Sequence, residues 1–178
     1  MILTPRLQLL SCTLQHFEAL LQGEDVLGEL LDIEIPESWT AFPEIILVAY
    51  DKLRNDPSLL GWFFYLVVHR EDRRLIGAGG FKGRPDSSGT VEIVYEITPS
   101  YRDKGYGTEF TQALIRFAFN HSYVQKVVAH TEVEYTAYVK VLQKSGMHFA
   151  GEVPEDQLWK WEITRSQYEL PENKAPVL

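Results

Sequence analysis

A single cysteine, Cys12, leaves no partner for an internal disulfide and no thiolate set for a metal site. It lies in an apolar run, where a free cysteine is expected to act as a small buried hydrophobe. Its isolation fits a reducing compartment. Long apolar runs are also missing: none reaches the length that spans a bilayer. Arg6 and Gln8 interrupt the opening residues before the apolar core of a signal peptide can form. Positive charge is the third shortage, with 17 Lys and Arg against 25 Asp and Glu and a formal charge of −8. That balance argues against nucleic acid, which needs a basic face for its phosphates, and permits a cationic or amine-bearing partner. The expectation is a cytoplasmic protein with neither a membrane nor a nucleic acid as partner.

Metal spacing is absent too. His16, His69, His121, His130 and His148 form no i,i+4 pair and no constellation with carboxylates, so no metal is expected. What the chain does have is core material: 45% of its 178 residues are hydrophobic and 12% aromatic, enough for one folded domain rather than a disordered chain. That domain is expected over 1–170. The segment 171–178, with two prolines and little apolar matter, reads as a flexible tail.

Periodicity and punctuation give the elements. Leu7 to Ser11 reads as a strand, and Thr13 can cap a helix from Leu14 to Gln22 that Gly23 stops. A short helix from Val26 to Leu31 and another from Pro43 to Asn55 flank a loop at Pro36 to Phe42. Three antiparallel strands follow, Trp62 to Arg70, Leu75 to Lys82 and Thr90 to Thr98. Gly77, Gly79 and Gly80 weaken the middle strand yet allow close approach by another backbone. After a glycine-bearing loop, Phe110, Ala113, Leu114, Phe117 and Ala118 repeat at helical spacing within a helix from Thr108 to Asn120. Lys126 to Thr131 is then a strand parallel to Thr90–Thr98. A helix from Thr136 to Lys144, ended by Gly146, and strands at His148–Val153 and Gln157–Thr164 complete the chain.

The loop between strand and helix, Pro99-Ser100-Tyr101-Arg102-Asp103-Lys104-Gly105-Tyr106-Gly107-Thr108, carries the chemistry. Its glycines permit a tight turn and leave backbone N–H groups unobstructed, and these join the free N–H groups of a helix start to make an anion site. Arg102 and Lys104 add positive charge against the acidic trend of the chain. A dinucleotide fingerprint needs a third glycine where Phe110 stands. A nucleoside-triphosphate loop needs Gly-Lys-Ser/Thr, which does not occur here.

Arg102-x-x-Gly105-x-Gly107 resembles the pyrophosphate loop of the GNAT superfamily of acyl-CoA-dependent N-acyltransferases. Val91 to Ile97 is similar to that family's central strand, and Val141-Leu142-Gln143-Lys144-Ser145-Gly146-Met147 to its later signature. Thr4-Pro5-Arg6-Leu7 is similar to the opening of the ribosomal-protein N-acetyltransferase branch. The resemblance implies a single-domain α/β GNAT-like fold, with a mixed, mostly antiparallel central sheet flanked by helices and one parallel strand pair splayed around the cofactor. It implies acetyl-CoA as cofactor and CoA as product. Pantetheine is expected to meet main-chain groups near Ile97 and Thr98, and pyrophosphate the loop around Arg102, Lys104, Gly105, Tyr106, Gly107 and Thr108.

Acetyl transfer to a primary amine, whether of a small molecule or a protein N-terminus, needs a neutral nucleophile. Alkyl ammonium groups titrate near ~10 and α-amino groups near ~8, so a general base must act at neutral pH. Backbone N–H groups can stabilise the oxyanion. Strand alternation puts Glu92 and Glu96 on one face. The resemblance implies Glu92 as the base, with Glu96 an ordinary polar residue, unless a bulge in the strand exchanges their roles. Among candidate acids, Leu142 stands where many members of the family carry a tyrosine. Tyr138, one helical turn earlier on the same face, is the first choice and Tyr135 the second. Tyr135 also replaces the family's usual Asn. His130, on the parallel strand beside the cleft, is in place to touch substrate, though a structural role is favoured. The aromatics, Trp39, Phe42 and Trp62 among them, are read mainly as core, with the Trp39–Phe42 loop as a lining for the acceptor pocket. The alternative to an enzyme is a non-catalytic acyl-CoA sensor or interaction module, which the altered tyrosine positions favour and Glu92 opposes. A homodimer is compatible with either reading.

Overall fold

The computed structural model describes residues 1–37, 39–132 and 136–170. One eight-stranded sheet runs through it: β1 (Ile2–Leu3), β2 (Leu7–Ser11), β3 (Phe64–His69), β4 (Arg74–Phe81), β5 (Thr90–Ile97), β6 (Lys126–Glu132), β7 (His148–Val153) and β8 (Leu158–Thr164). The spatial order is β1-β2-β3-β4-β5-β6-β8-β7. All neighbours are antiparallel except β5 and β6, which are parallel. The helices are α1 (Leu14–Gln22), α2 (Glu24–Leu31), α3 (Ile45–Asn55), α4 (Tyr106–Phe119), α5 (Thr136–Lys144) and α6 (Arg165–Tyr168). None of them is long and apolar enough to cross a membrane.

Local chemistry explains most boundaries. The Thr13 side chain accepts from the His16 N–H while His16 returns a bond to the Thr13 backbone, a capping box that starts α1. Gly105, at φ 84°, turns the chain into α4 in a left-handed conformation that a residue with a Cβ resists. The helix therefore begins at Tyr106, two residues before the position that periodicity alone suggests.

The sheet has a core on each face. Phe17, Leu27, Trp39, Ile46 and Leu53 pack with Leu66, Val68, Leu75 and Ala78 on one side. Phe110, Leu114, Ala118 and Leu142 pack with Leu9, Val67, Ile76, Val91 and Ile93 on the other. Cys12 is buried in the first core, and burial pushes its thiol pKa up, so it behaves as an inert apolar side chain. The close-approach reading of the β4 glycines holds: a Cβ at Gly77 would collide with the Glu96 carbonyl, and one at Gly79 with the Val94 carbonyl.

Candidate active site

Parallel pairing between β5 and β6 lasts three residues, Thr90↔Lys126, Val91↔Val127 and Glu92↔Val128. Beyond Glu92, β5 stays with β4 as far as Ile97, while β6 follows β8 to Glu132. The two strands therefore part, and the gap opens beside Glu92. Antiparallel alternation with β4, seen in the bonds Lys82 N–H to Glu92 O and Thr98 N–H to Ile76 O, turns the main-chain groups of Tyr95 and Ile97 toward that gap. The β4–β5 register is unbroken from Gly77↔Ile97 to Phe81↔Ile93. The bulge considered for this strand is not there; the register shifts instead between Val67 and Val68, where Ile76 of β4 is passed over, and between Phe149 and Gly151 of β7. Glu92 and Glu96 consequently share a face, and Glu96 stands opposite Ala78 of the first core.

The glycine loop sits at the other end of the gap. Gly105 through Thr108 direct backbone N–H groups that find no acceptor among the described residues, the orphan donors of a helix start. Asp103 and Gly105 both have positive φ, 59° and 84°, which curls the loop into a concave nest. A pyrophosphate suits this donor set. Arg102 turns inward, its Nε donating to the Ile97 carbonyl at 2.8 Å, and Lys104 Nζ donates to the Ser100 carbonyl at 2.9 Å. Both cations thus brace the loop as well as charging it. The Thr98 N–H is already committed to Ile76, and its Oγ1 is buried without a partner among the described residues.

Sequence reasoning missed how the loop is held. Arg6 Nη1 donates to the Lys104 carbonyl at 2.9 Å, Arg6 Nε to Glu109 Oε2 at 2.6 Å, and Thr4 Oγ1 to Glu109 Oε1 at 2.5 Å. Thr4-Pro5-Arg6-Leu7 is therefore a clamp on the first turn of α4, and the signal for it was the Thr-x-Arg-Leu pattern itself. Gly107 also has a reason other than the one expected. Its φ is not left-handed; a Cβ there would sit 3.1 Å from the Tyr95 ring. Tyr95 in turn stacks on Tyr138, with ring centroids 4.5 Å apart and planes 12° apart.

Tyr138 is thus half-buried on the α4–α5 side of β5, opposite the face that carries Glu92 and Glu96. Leu142 is fully buried. Tyr135 lies outside the described residues. Glu92 Oε1 is met by Lys82 Nζ at 2.5 Å and His130 Nδ1 at 2.9 Å. Burial opposes the Glu92 charge, but hydrogen bonds from Lys82 and His130 outweigh it and hold the carboxyl below its usual range. Glu96 Oε2 accepts from the Ala41 N–H at 3.4 Å, which brings the Trp39–Phe42 loop to this face, while Oε1 is buried without a partner among the described residues. Trp39 itself is core, whereas Phe42 is exposed.

Known proteins share this fold. The acetyltransferase (GNAT) domain family matches residues 6–148. YjdG, an uncharacterised N-acetyltransferase of Bacillus subtilis (strain 168), is 27% identical over 137 residues, covering 77% of each chain. The spermidine N-acetyltransferase of Vibrio cholerae, solved with CoA and spermine, superposes with TM-score 0.66 at 17% identity, over 93% of this chain and 99% of that one. RimL, a ribosomal L7/L12 α-N-protein acetyltransferase solved with coenzyme A, gives TM-score 0.66 at 14% identity, over 90% of this chain and 95% of that one. The nest of N–H groups, the splayed parallel pair and the family match over most of the chain agree: this chain is an N-acetyltransferase that belongs to the GNAT family.

Proposed function

We propose that the protein transfers acetyl from acetyl-CoA to a primary amine, of a small molecule or a protein N-terminus, by direct attack in a ternary complex. The observation that carries this reading is the disposition about β5. The glycine loop and Tyr138 lie toward one face, Glu92 and His130 lie on the other, and the strands part between them. Pantetheine entering along the loop side brings its thioester to an amine arriving from the carboxylate side. The proton leaves through the Glu92–His130 pair, and Tyr138 protonates the departing thiolate. Glu96 and the 39–42 loop line the acceptor side, where an ammonium group suits the buried, unpartnered carboxylate oxygen. Amine acceptors of two kinds appear among proteins of this fold, spermidine for one and a ribosomal protein N-terminus for another. A cytoplasmic setting supplies both acetyl-CoA and such amines.

Thiol release from acetyl-CoA in the presence of an amine panel tests the reading. Amine-dependent CoA release is expected. Binding of CoA with no release for any polyamine, amino acid or peptide N-terminus overturns it.

A further inference from the structure

One oxygen of Glu92 carries both of its partners. Lys82 Nζ and His130 Nδ1 approach Oε1 at 2.5 and 2.9 Å. An ionised carboxylate only accepts hydrogen bonds, so the His130 ring must donate through Nδ1–H. The neutral imidazole then keeps its lone pair on Nε2. That atom has no hydrogen-bond partner among the described residues and is not one of the sealed, unpartnered atoms. A carboxylate neutralised by a lysine at 2.5 Å is a weak acceptor for a further proton. A neutral imidazole is a suitable one near pH 7.

The position of His130 matters as much as its chemistry. Val128 is the last residue of β6 in register with β5, and His130 lies two residues beyond it on the same face, where the strands have separated. Charged groups approach this face from every neighbouring element. Glu92 comes from β5, with Lys82 behind it at the end of β4. Lys160 stands opposite His130 in β8, and the Lys126–Glu162 pair lies along the same face. Glu132 follows on β6 itself.

Resting on the acetyl transfer read above, we propose that His130 is the catalytic base and Glu92 its positioning residue. His130 Nε2 takes a proton from the acceptor's ammonium group, and the freed lone pair bonds to the thioester carbon while the carbonyl π pair moves onto oxygen. The nitrogen then sheds its second surplus proton to solvent. As the tetrahedral species collapses, the carbonyl re-forms, the C–S bond breaks and sulfur keeps the pair. The thiolate takes a proton from water or from Tyr138, whose phenol solvent then reprotonates, and the imidazolium returns its own to solvent. Glu92 stays ionised throughout, fixing the tautomer and the ring orientation.

Steady-state assays with acetyl-CoA use spermidine and alanyl-glycine amide as acceptors, over a pH series. His130→Gln is expected to lower kcat by ~10²–10⁴-fold near neutral pH, with the CoA-induced thermal shift intact. Glu92→Gln should lose less and should move the ascending limb of kcat to lower pH, because the imidazolium loses its anionic neighbour. If Glu92→Gln loses more than His130→Gln and its ascending limb disappears, Glu92 is the base and the proposal falls. Wild-type kcat and profile in His130→Gln also overturn it. A second measurement needs no acceptor: the ¹⁵N signals of the His130 ring in the CoA-bound protein. A proton at Nδ1 that Glu92→Gln releases supports the pair, and a ring protonated at Nε2 overturns it. Failure of the acetyl-transfer reading itself shows separately, as absence of amine-dependent CoA release in the wild-type protein.

Discussion

Arg6 Nε stands 2.6 Å from Glu109 Oε2, an ion pair that ties the sixth residue to the first turn of the helix that follows the glycine loop. The same carboxylate accepts from Thr4 Oγ1 and the Arg6 N–H, and the same guanidinium reaches the Lys104 carbonyl. Glu109 at the start of α4 is also well placed against the helix dipole. The pair therefore acts on the loop through a rigid helix end rather than through a flexible surface contact.

Glu109→Gln is expected to lower stability by about 1–2 kcal/mol, since it weakens charge-assisted bonds to a mostly buried carboxylate. Denaturant titration reads this, and CoA affinity should fall with it. Burial opposes the Glu109 charge, but bonds from Thr4 and Arg6 outweigh it and hold its pKa below the usual range. A depressed carboxylate pKa stabilises the fold fully above the unfolded value and loses that contribution as pH falls through the folded one. The wild-type loop should thus loosen only below the ordinary carboxylate range near ~4.3, and the Gln variant should show a flatter acid limb. An unchanged acid limb would remove Glu109 from the clamp.

Gly105 and Gly107 should fail for different reasons. Gly105→Ala meets a φ of 84° and the Arg6 guanidinium 3.3 Å away, so it should cost about 1–2 kcal/mol of stability and weaken CoA binding. Gly107→Ala presses on the Tyr95 ring, and Tyr95→Ala should restore part of the lost CoA affinity. A double-mutant cycle measures the coupling; additive losses would mean that Tyr95 is not what demands the glycine.

Tyr138→Phe keeps the ring stacked on Tyr95 and removes only the hydroxyl. Turnover should fall by ~10²-fold or more with little change in CoA binding, and raising the pH should not recover it, because the defect lies in thiolate departure. Full activity in Tyr138→Phe would leave the stack as packing alone.

CoA and acetyl-CoA should each raise thermal stability, by about 2.7 kcal/mol at ~100 times the dissociation constant. NADH and ATP should not, because the loop lacks their glycine and lysine patterns. Stabilisation by ATP equal to that by CoA would reduce the loop to a general phosphate site.

Most elements were legible because their signals are local. Thr13 and Gly23 bracket α1 as the capping rules predict, and the apolar spacing of Phe110, Ala113 and Leu114 marks α4. β1, two residues long, and α6, four residues long, are too short to show a period. The exchange of β7 and β8 in the sheet is decided by which strand pairs with β6, a tertiary choice. In the site, the shared face of Glu92 and Glu96 followed from alternation alone. What Glu92 touches did not, because His130 is 38 residues away and reaches it only through the parallel register. Gly107 was read as making room for a ligand, whereas the Tyr95 ring already occupies that room.

The sheet order also governs when the cleft between β5 and β6 can form. β6, its second wall, is held by three register pairs on the β5 side and by seven on the side of β8, the last strand of the sheet to be made. A nascent chain that ends before residue 158 carries the complete glycine loop and its Arg6 clamp, but β6 lacks its main partner. During synthesis from the N-terminus, the glycine loop is made before β8, the strand that secures the wall facing it. On the proposed reading, the cleft gains its second wall only once β8 has paired with β6, which makes CoA capture a readout of whether the β7–β8 hairpin has docked.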